Sequence, residues 1–235
     1  MKKSVMIVGG SGVLGRSVLA KLLPSFHTIN VDFNSNPQAD LDITLNTQSS
    51  ALERVQTVKE VLKKEEQTSL AAILSLAGGW QGEDINSPRL FESTREMMDM
   101  NLLSALMAGH LAHCYLSQNG LLVLTGAAQI YNSKNPFMLT YSMSKTAVHG
   151  LASDLAQETK LSDRGIDVVT ILPTVIDTPM NREGMPDADH DTWLPPDKIG
   201  DLLNMWVSTE NRPTNGSFVE LNYEKGAIAT VIKNK

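Results

Sequence analysis

Apolar residues along the chain fall into two alternating patterns. Short runs of strand length occur at residues 4–8, 28–33, 39–44, 70–76, 120–125, 166–172 and 217–222. Between them, apolar positions recur at helical spacing, first Val13, Leu14, Val18, Leu19 and Leu22, then Leu52, Val55, Val58 and Leu62. An unbroken apolar run such as 70–76 marks a strand covered on both faces, the situation of a parallel sheet. Strands alternating with helices imply a doubly wound α/β domain, here one domain over 1–235 with a mostly parallel sheet of about seven strands and helices on both faces. Residues 89–116 read as one long helix whose apolar positions, Met97, Met98, Leu102, Leu106 and Leu111 among them, spread around much of its circumference. Residues 139–156 read as another. From 173 to 196 the chain is rich in Pro, Asp and Asn with weak periodicity, the composition of a long loop such as an active-site lid. The apolar run 227–232 in the tail has no evident place in this pattern.

Charge and cysteine content narrow the function classes. The net charge is −6, and Lys and Arg are scattered along the chain, so there is no basic field for nucleic acid or anionic lipid. The first apolar run is cut by glycines at 9 and 10, too early for a signal peptide, and no other run is long enough to span a bilayer. The single Cys114 cannot form an intrachain disulfide and fits a buried packing thiol in a reduced, cytosolic compartment.

The candidate chemistry starts at the first strand's exit. Gly10, Gly12 and Gly15 form a G-x-G-x-x-G step between a strand and a helix, the setting in which glycines allow a tight turn and the helix N-terminus faces a pyrophosphate. Asp32 ends the next strand 17 residues past Gly15, close to the interval at which an acid bonds the ribose hydroxyls, and its charge would repel a 2′-phosphate. This is a Rossmann-type arrangement, and it favours NAD(H) over NADP(H). Asp42 has two readings, an adenine contact or a cap for the following helix. The central strand ends in Ala77, Gly78 and Gly79, small residues that let a cofactor approach the backbone, and Trp80 beside them offers a stacking surface or a core contact. Tyr141 and Lys145 stand one helical turn apart, so a lysine ammonium is expected to lower the phenol's pKa toward the range useful in proton transfer. No metal site is expected.

With the glycine step at one end and Tyr141/Lys145 past the middle, the chain resembles the short-chain dehydrogenase/reductases over nearly its whole length. That resemblance implies a cofactor loop at Gly9, Gly10, Ser11, Gly12, Val13, Leu14 and Gly15, with Asp32, Phe33, Asp42, Ala77, Gly78, Gly79, Asn101 and Lys145 completing the dinucleotide site. It implies Tyr141 and Lys145 as the catalytic pair and Thr178 as the residue holding the nicotinamide carboxamide. The position where the family carries a catalytic serine is Ala128. Within the superfamily the chain is most similar to the dihydropteridine reductases, on Gly78-Gly79-Trp80, Gly126-Ala127-Ala128 and Ile176-Asp177-Thr178-Pro179-Met180-Asn181-Arg182. Asn101 departs from that subgroup and follows the wider superfamily.

The resemblance implies NADH-dependent reduction of quinonoid dihydropteridine, Trp80, Tyr141 and Thr174 contacting the pterin, and a homodimer through the helices at 89–116 and 139–156. Two alternatives stay open: a reductase acting on a carbonyl, and a dinucleotide-sensing regulator without catalysis.

Overall fold

The computed structural model describes residues 2–132 and 135–233, so Met1, Ser133, Lys134 and the last two residues of the expected domain lie outside the described part. The first half alternates as the hydrophobic pattern requires: β1 (Ser4–Val8), α1 (Val13–Leu22), β2 (His27–Asp32), β3 (Leu41–Thr44), α2 (Ala51–Lys64) and β4 (Leu70–Ser75). Then follow α3 (Leu90–Met97), a π-helical turn (Met98–Leu103), α4 (Ser104–Tyr115) and β5 (Leu116–Thr125). Beyond it come α5 (Gln129–Asn132), α6 (Leu139–Ala156), α7 (Thr159–Ser162), β6 (Asp167–Pro173), α8 (Pro179–Gly184), α9 (Pro196–Val207), β7 (Phe218–Glu224) and β8 (Ala227–Lys233).

The strands form one sheet in the order β3-β2-β1-β4-β5-β6-β7-β8. Every neighbouring pair is parallel except β7 and β8. Because successive side chains of a strand point to opposite faces, β1 feeds two cores. Met6 and Val8 pack with Val58 and Leu62 of α2, Ala108 and Leu111 of α4, and Val148 and Ala152 of α6. Val5 and Ile7 pack on the other face with Val18, Leu19 and Leu22 of α1 and Ile199, Leu203 and Trp206 of α9. Chain order reverses between β1 and β4, which opens a crevice at the carboxyl ends of the strands, where open α/β sheets bind ligands.

Several expectations change. Among the described residues the sheet has eight strands, because 227–232 pairs antiparallel with β7; a hairpin through Lys225 and Gly226, at φ 51° and 82°, turns the chain back onto the last parallel strand. The helix expected over 89–116 is interrupted by the wide turn at Met98–Leu103, which directs Asn101 inward. β5 starts at Leu116, since Leu116 pairs with Leu70 before the register shifts to Leu121 opposite Ala72. Cys114 is exposed, its Sγ 3.8 Å from His110 Nε2, because α4 buries Ala105, Ala108, Leu111 and Ala112 and turns the thiol to the opposite side. Asp42 lies within β3 and caps nothing; α2 starts at a capping box in which Ser50 Oγ accepts from Glu53 N and Glu53 Oε2 accepts from Ser50 N. The stretch 173–196 holds α8 and a short 3₁₀ turn, and a bridge between Ile176 and Leu194 closes its base.

Candidate active site

The turn after β1 is shaped by what it excludes. Gly9 has φ +90°, a conformation that side chains disfavour, and its N–H donates to Val31 O at 2.9 Å. A Cβ on Gly15 would run into Gly9 O and come within 2.6 Å of Gly10 Cα, so α1 starts directly against the loop. Gly12 caps α1 with no side-chain hydrogen bond, leaving the first turn's amides to meet an anion. Asp32, at the end of β2, is aimed back at this turn: Oδ2 accepts from Ser11 N at 2.9 Å and Oδ1 from Asn34 N at 3.1 Å. These residues fit a dinucleotide, with backbone amides for phosphates and a carboxylate for ribose hydroxyls. Ser11 also joins a network the sequence did not reveal, in which Asn30 Nδ2 donates to Ser11 Oγ at 3.2 Å and to Asp42 Oδ1 at 2.7 Å. Burial opposes ionisation of Asp42, but bonds from Asn30, Ser35 and the Asn36 amide outweigh it and hold the carboxyl below its ordinary range. Phe33 is exposed, and the Arg54 guanidinium lies 4.8 Å over its ring while Arg54 Nη1 donates to Asp99.

The second half of the site gathers around the exit of β4. The amides of Leu76 and Ala77 both donate to Val8 O, at 2.8 and 2.9 Å, which holds the Ala77-Gly78-Gly79 turn beside the glycine loop. A Cβ on Gly78 would come within 2.6 Å of Asn101 Oδ1 and 3.4 Å of Lys145 Nζ, so small residues are needed where three elements meet. Asn101, almost fully buried, closes a two-way bond with Gly79: Oδ1 accepts from Gly79 N and Nδ2 donates to Gly79 O, both at 3.1 Å. Its Nδ2 also donates to Ser144 Oγ at 3.0 Å, and Ser144 Oγ donates to Tyr141 O at 2.8 Å. Lys145 donates to Thr125 O at 2.9 Å, and burial pushes its ammonium down to about 8.

Tyr141 corrects one expectation. Lys145 Nζ lies 5.9 Å from the centroid of the phenol ring, yet burial pushes the Tyr141 hydroxyl up to about 12. Desolvation of the phenolate outweighs attraction to an ammonium engaged with a carbonyl. The shift makes the phenol a weaker acid, and at neutral pH it holds its proton.

The turn at the end of β5 carries Ala128, buried and without a hydroxyl. All three amides of this turn are engaged within the protein: Gly126 N donates to Ile171 O at 2.9 Å, Ala127 N to His149 Nε2 at 3.2 Å and Ala128 N to Pro173 O at 3.2 Å. His149 was not foreseen, although its place four residues after Lys145, on the stripe that begins at Tyr141, is visible in the sequence.

Trp80 is 53% exposed, and a Cβ on Gly82 would come within 2.9 Å of its ring. The same stretch reaches the start of α6 through Leu139 N, which donates to Glu83 O at 3.0 Å. The indole is thus exposed, on a stretch that reaches the start of the helix carrying Tyr141, and is not core. Thr174 sits beyond β6 with Oγ1 donating to Leu221 O at 3.2 Å. Thr178 caps α8, its Oγ1 accepting from Asn181 N at 3.2 Å. Beside it Arg182 pairs with Asp177 in two bonds and pulls that carboxyl below its usual range. Among the described residues no group of His, Cys, Asp and Glu could hold a metal, and no helix is long and apolar enough to cross a membrane.

A glycine cradle at the reversal point of a parallel sheet, an acid ending β2 and a Tyr–Lys pair beyond the next strands define an oxidoreductase of the class that binds NAD(P)(H). The short chain dehydrogenase profile matches residues 3–189, and the chain belongs to that family. A dihydropteridine reductase of Dictyostelium discoideum is 36% identical over 224 residues, 94% of each chain. Among solved structures, a short chain dehydrogenase family protein of Francisella tularensis superposes with a TM-score of 0.76 at 20% identity, over 94% of this chain and 97% of the other. A 4-hydroxyisoleucine dehydrogenase complexed with NADH superposes at 0.74 and 22% identity, over 93% and 96%. These two likenesses establish the fold.

Proposed function

We propose that this protein is an NADH-dependent dihydropteridine reductase, reducing quinonoid dihydropterin to the tetrahydropterin. The observation that carries this reading is the turn at the end of β5. It has Ala128 where a hydroxyl would stand, and its three amides are all bonded internally. A carbonyl becoming an alkoxide needs a positioned donor, and this turn supplies none. A conjugated dihydropterin ring takes up a hydride and a proton without forming an alkoxide, so it makes no such demand. The 36% identity to a dihydropteridine reductase over 94% of the chain points the same way.

When bound, NADH supplies the hydride. Tyr141 is the acid that donates the accompanying proton; its phenol carries a proton at neutral pH, and burial in the cofactor-free protein makes it a weaker acid than a free tyrosine. Lys145, beside Gly78 and Thr125, would hold the nicotinamide ribose, and Thr178 would take the carboxamide. Trp80 stacks on the pterin. Asp32 selects NADH, because its carboxylate and a 2′-phosphate would be like charges in contact.

We further propose a homodimer through α4 and α6, which leave Leu106 and Met143 48% and 44% exposed. A monomeric mass in light scattering at micromolar concentration would count against it. The function is tested by NADH oxidation with freshly generated quinonoid dihydrobiopterin. Steady turnover is expected; none with the pterin, alongside turnover of ketones, would place the protein among the carbonyl reductases.

A further inference from the structure

His149 is a buried, titratable side chain that the mechanism above leaves without a role. It lies on α6 four residues beyond Lys145, 8% exposed, and its Nε2 accepts the Ala127 amide at 3.2 Å. Four residues earlier, Lys145 Nζ donates to Thr125 O at 2.9 Å. Two successive turns of one helix therefore grip the peptide groups on either side of Gly126, one by donating and the other by accepting. The Gly126 and Ala128 amides tie the exit to β6, at Ile171 O and Pro173 O, but do not fix its placement against α6. Two bonds of opposite polarity, at 125 and 127, set both its distance from α6 and its rotation.

The surroundings are built for this grip. A Cβ on Gly126 would strike His149 Nε2, so only glycine lets the imidazole reach the next amide. The ring is held in plane by Tyr131, stacked at 5.4 Å and 23°, and edge-on by Phe218 of β7 at 5.4 Å and 68°. Tyr131 belongs to α5, two residues past Gln129, and its own amide donates to Ala128 O at 3.0 Å, so the stack extends the grip to the residues that follow the turn. Burial, reinforced by the charge of Lys145, pushes the imidazole down to about 4, which leaves a ring nitrogen free to accept at neutral pH.

We infer that His149 is a positioning residue: by accepting the Ala127 amide it holds the β5 exit, and with it Ala128 and Tyr131, in register with Tyr141 and Lys145. The kinetic consequence rests on the reductase reading above; the bond itself does not. Loss of the acceptor strands a buried amide and loosens the turn where it faces α6, while its bonds to β6 remain, and a misplacement of about 1 Å near the reacting atoms costs up to about 100-fold in rate.

The test has two arms. In ¹⁵N-histidine spectra at pH 7, His149 should carry its proton on Nδ1 with Nε2 bare, and the Ala127 amide should exchange slowly. A proton on Nε2, or a fast-exchanging Ala127 amide, overturns the inference whatever the substrate proves to be. In the second arm, His149→Leu should lower kcat for quinonoid dihydropterin by about 10- to 100-fold, with the NADH dissociation constant within about threefold. His149→Gln, whose Oε1 can accept the amide, should recover most of that loss. Turnover of the leucine variant within twofold of the parent, or equal damage in both variants, overturns the positioning role. Should the leucine variant fail to fold, the tautomer and the glutamine variant still decide. A parent that does not turn over the pterin at all refutes the reductase reading, while the spectra continue to judge His149.

Discussion

A lysine that is 4% exposed and bonded to a backbone carbonyl carries a cost that stability measurements can read. Burial moves the Lys145 ammonium from 10.5 down to about 8. That difference corresponds to about 3 kcal/mol by which the folded state disfavours the charged form. Below pH 8 the lysine is protonated in both the folded and unfolded states, and the whole penalty acts on folding. Between 8 and 10.5 the unfolded chain binds the extra proton, so stability rises with pH through that window and the penalty has gone above it. Tyr141 works in the opposite sense at higher pH. Its hydroxyl is pushed up to about 12 by burial, so from about pH 10 to 12 the unfolded chain loses the proton first and stability falls. The interval from pH 8 to 10 is the clean one for Lys145.

Lys145→Met keeps much of the volume and removes the charge. At pH 7 it should stabilise the cofactor-free protein by about 2 kcal/mol, the relieved penalty less about 1 kcal/mol for the lost bond to Thr125 O. Urea unfolding of parent and variant at pH 7, 8, 9 and 10 measures this. The advantage of the variant should shrink steadily from pH 8 to 10, and the variant should lose NADH binding. A variant less stable than the parent at pH 7, or an advantage that does not change with pH, would refute the reasoning. A gain in stability with a loss of binding would show that Lys145 is kept for function against the interest of the fold.

Tyr141→Phe should lower pterin turnover by roughly 10²–10⁴ while NADH binding stays within about threefold, since only the transferable proton is removed; full activity would put the proton source elsewhere. Asp32→Ala should narrow the gap between NADH and NADPH affinity, measured by titrating both. Equal binding of the two by the parent would remove Asp32 from that role. Gly15→Ala should abolish dinucleotide binding and lower the denaturation midpoint, because its Cβ meets backbone of Gly9 and Gly10 that cannot step aside; unchanged binding by calorimetry would show that the loop yields.

The alternation of strands and helices was legible in the chain because each strand buried on both faces must be apolar throughout and each covering helix must be apolar on one side. The glycine step and the Tyr141/Lys145 spacing were legible for a related reason, since each depends on residues close together in sequence with a fixed local geometry, and Asp32 was legible from the regular interval of a strand–helix–strand unit. Where partners came from distant segments, the sequence was silent. Asn101 turns inward because it pairs with Gly79 in a different element, so the periodicity of 89–116 ran on unbroken through the wide turn. The run 227–232 became a strand only because the edge of β7 was there to receive it. Cys114 faces outward because the alanines of α4 occupy the core.

The protonation of the site was also decided in three dimensions. Spacing alone puts an ammonium beside a phenol and suggests a lowered pKa, but how deeply each group is buried depends on the whole packed sheet, and here burial dominates both. His149 shows the same division: its place one turn beyond Lys145 can be read from the chain. That Ala127 would present an amide to it, across a glycine with no Cβ to block the way, follows only from the fold.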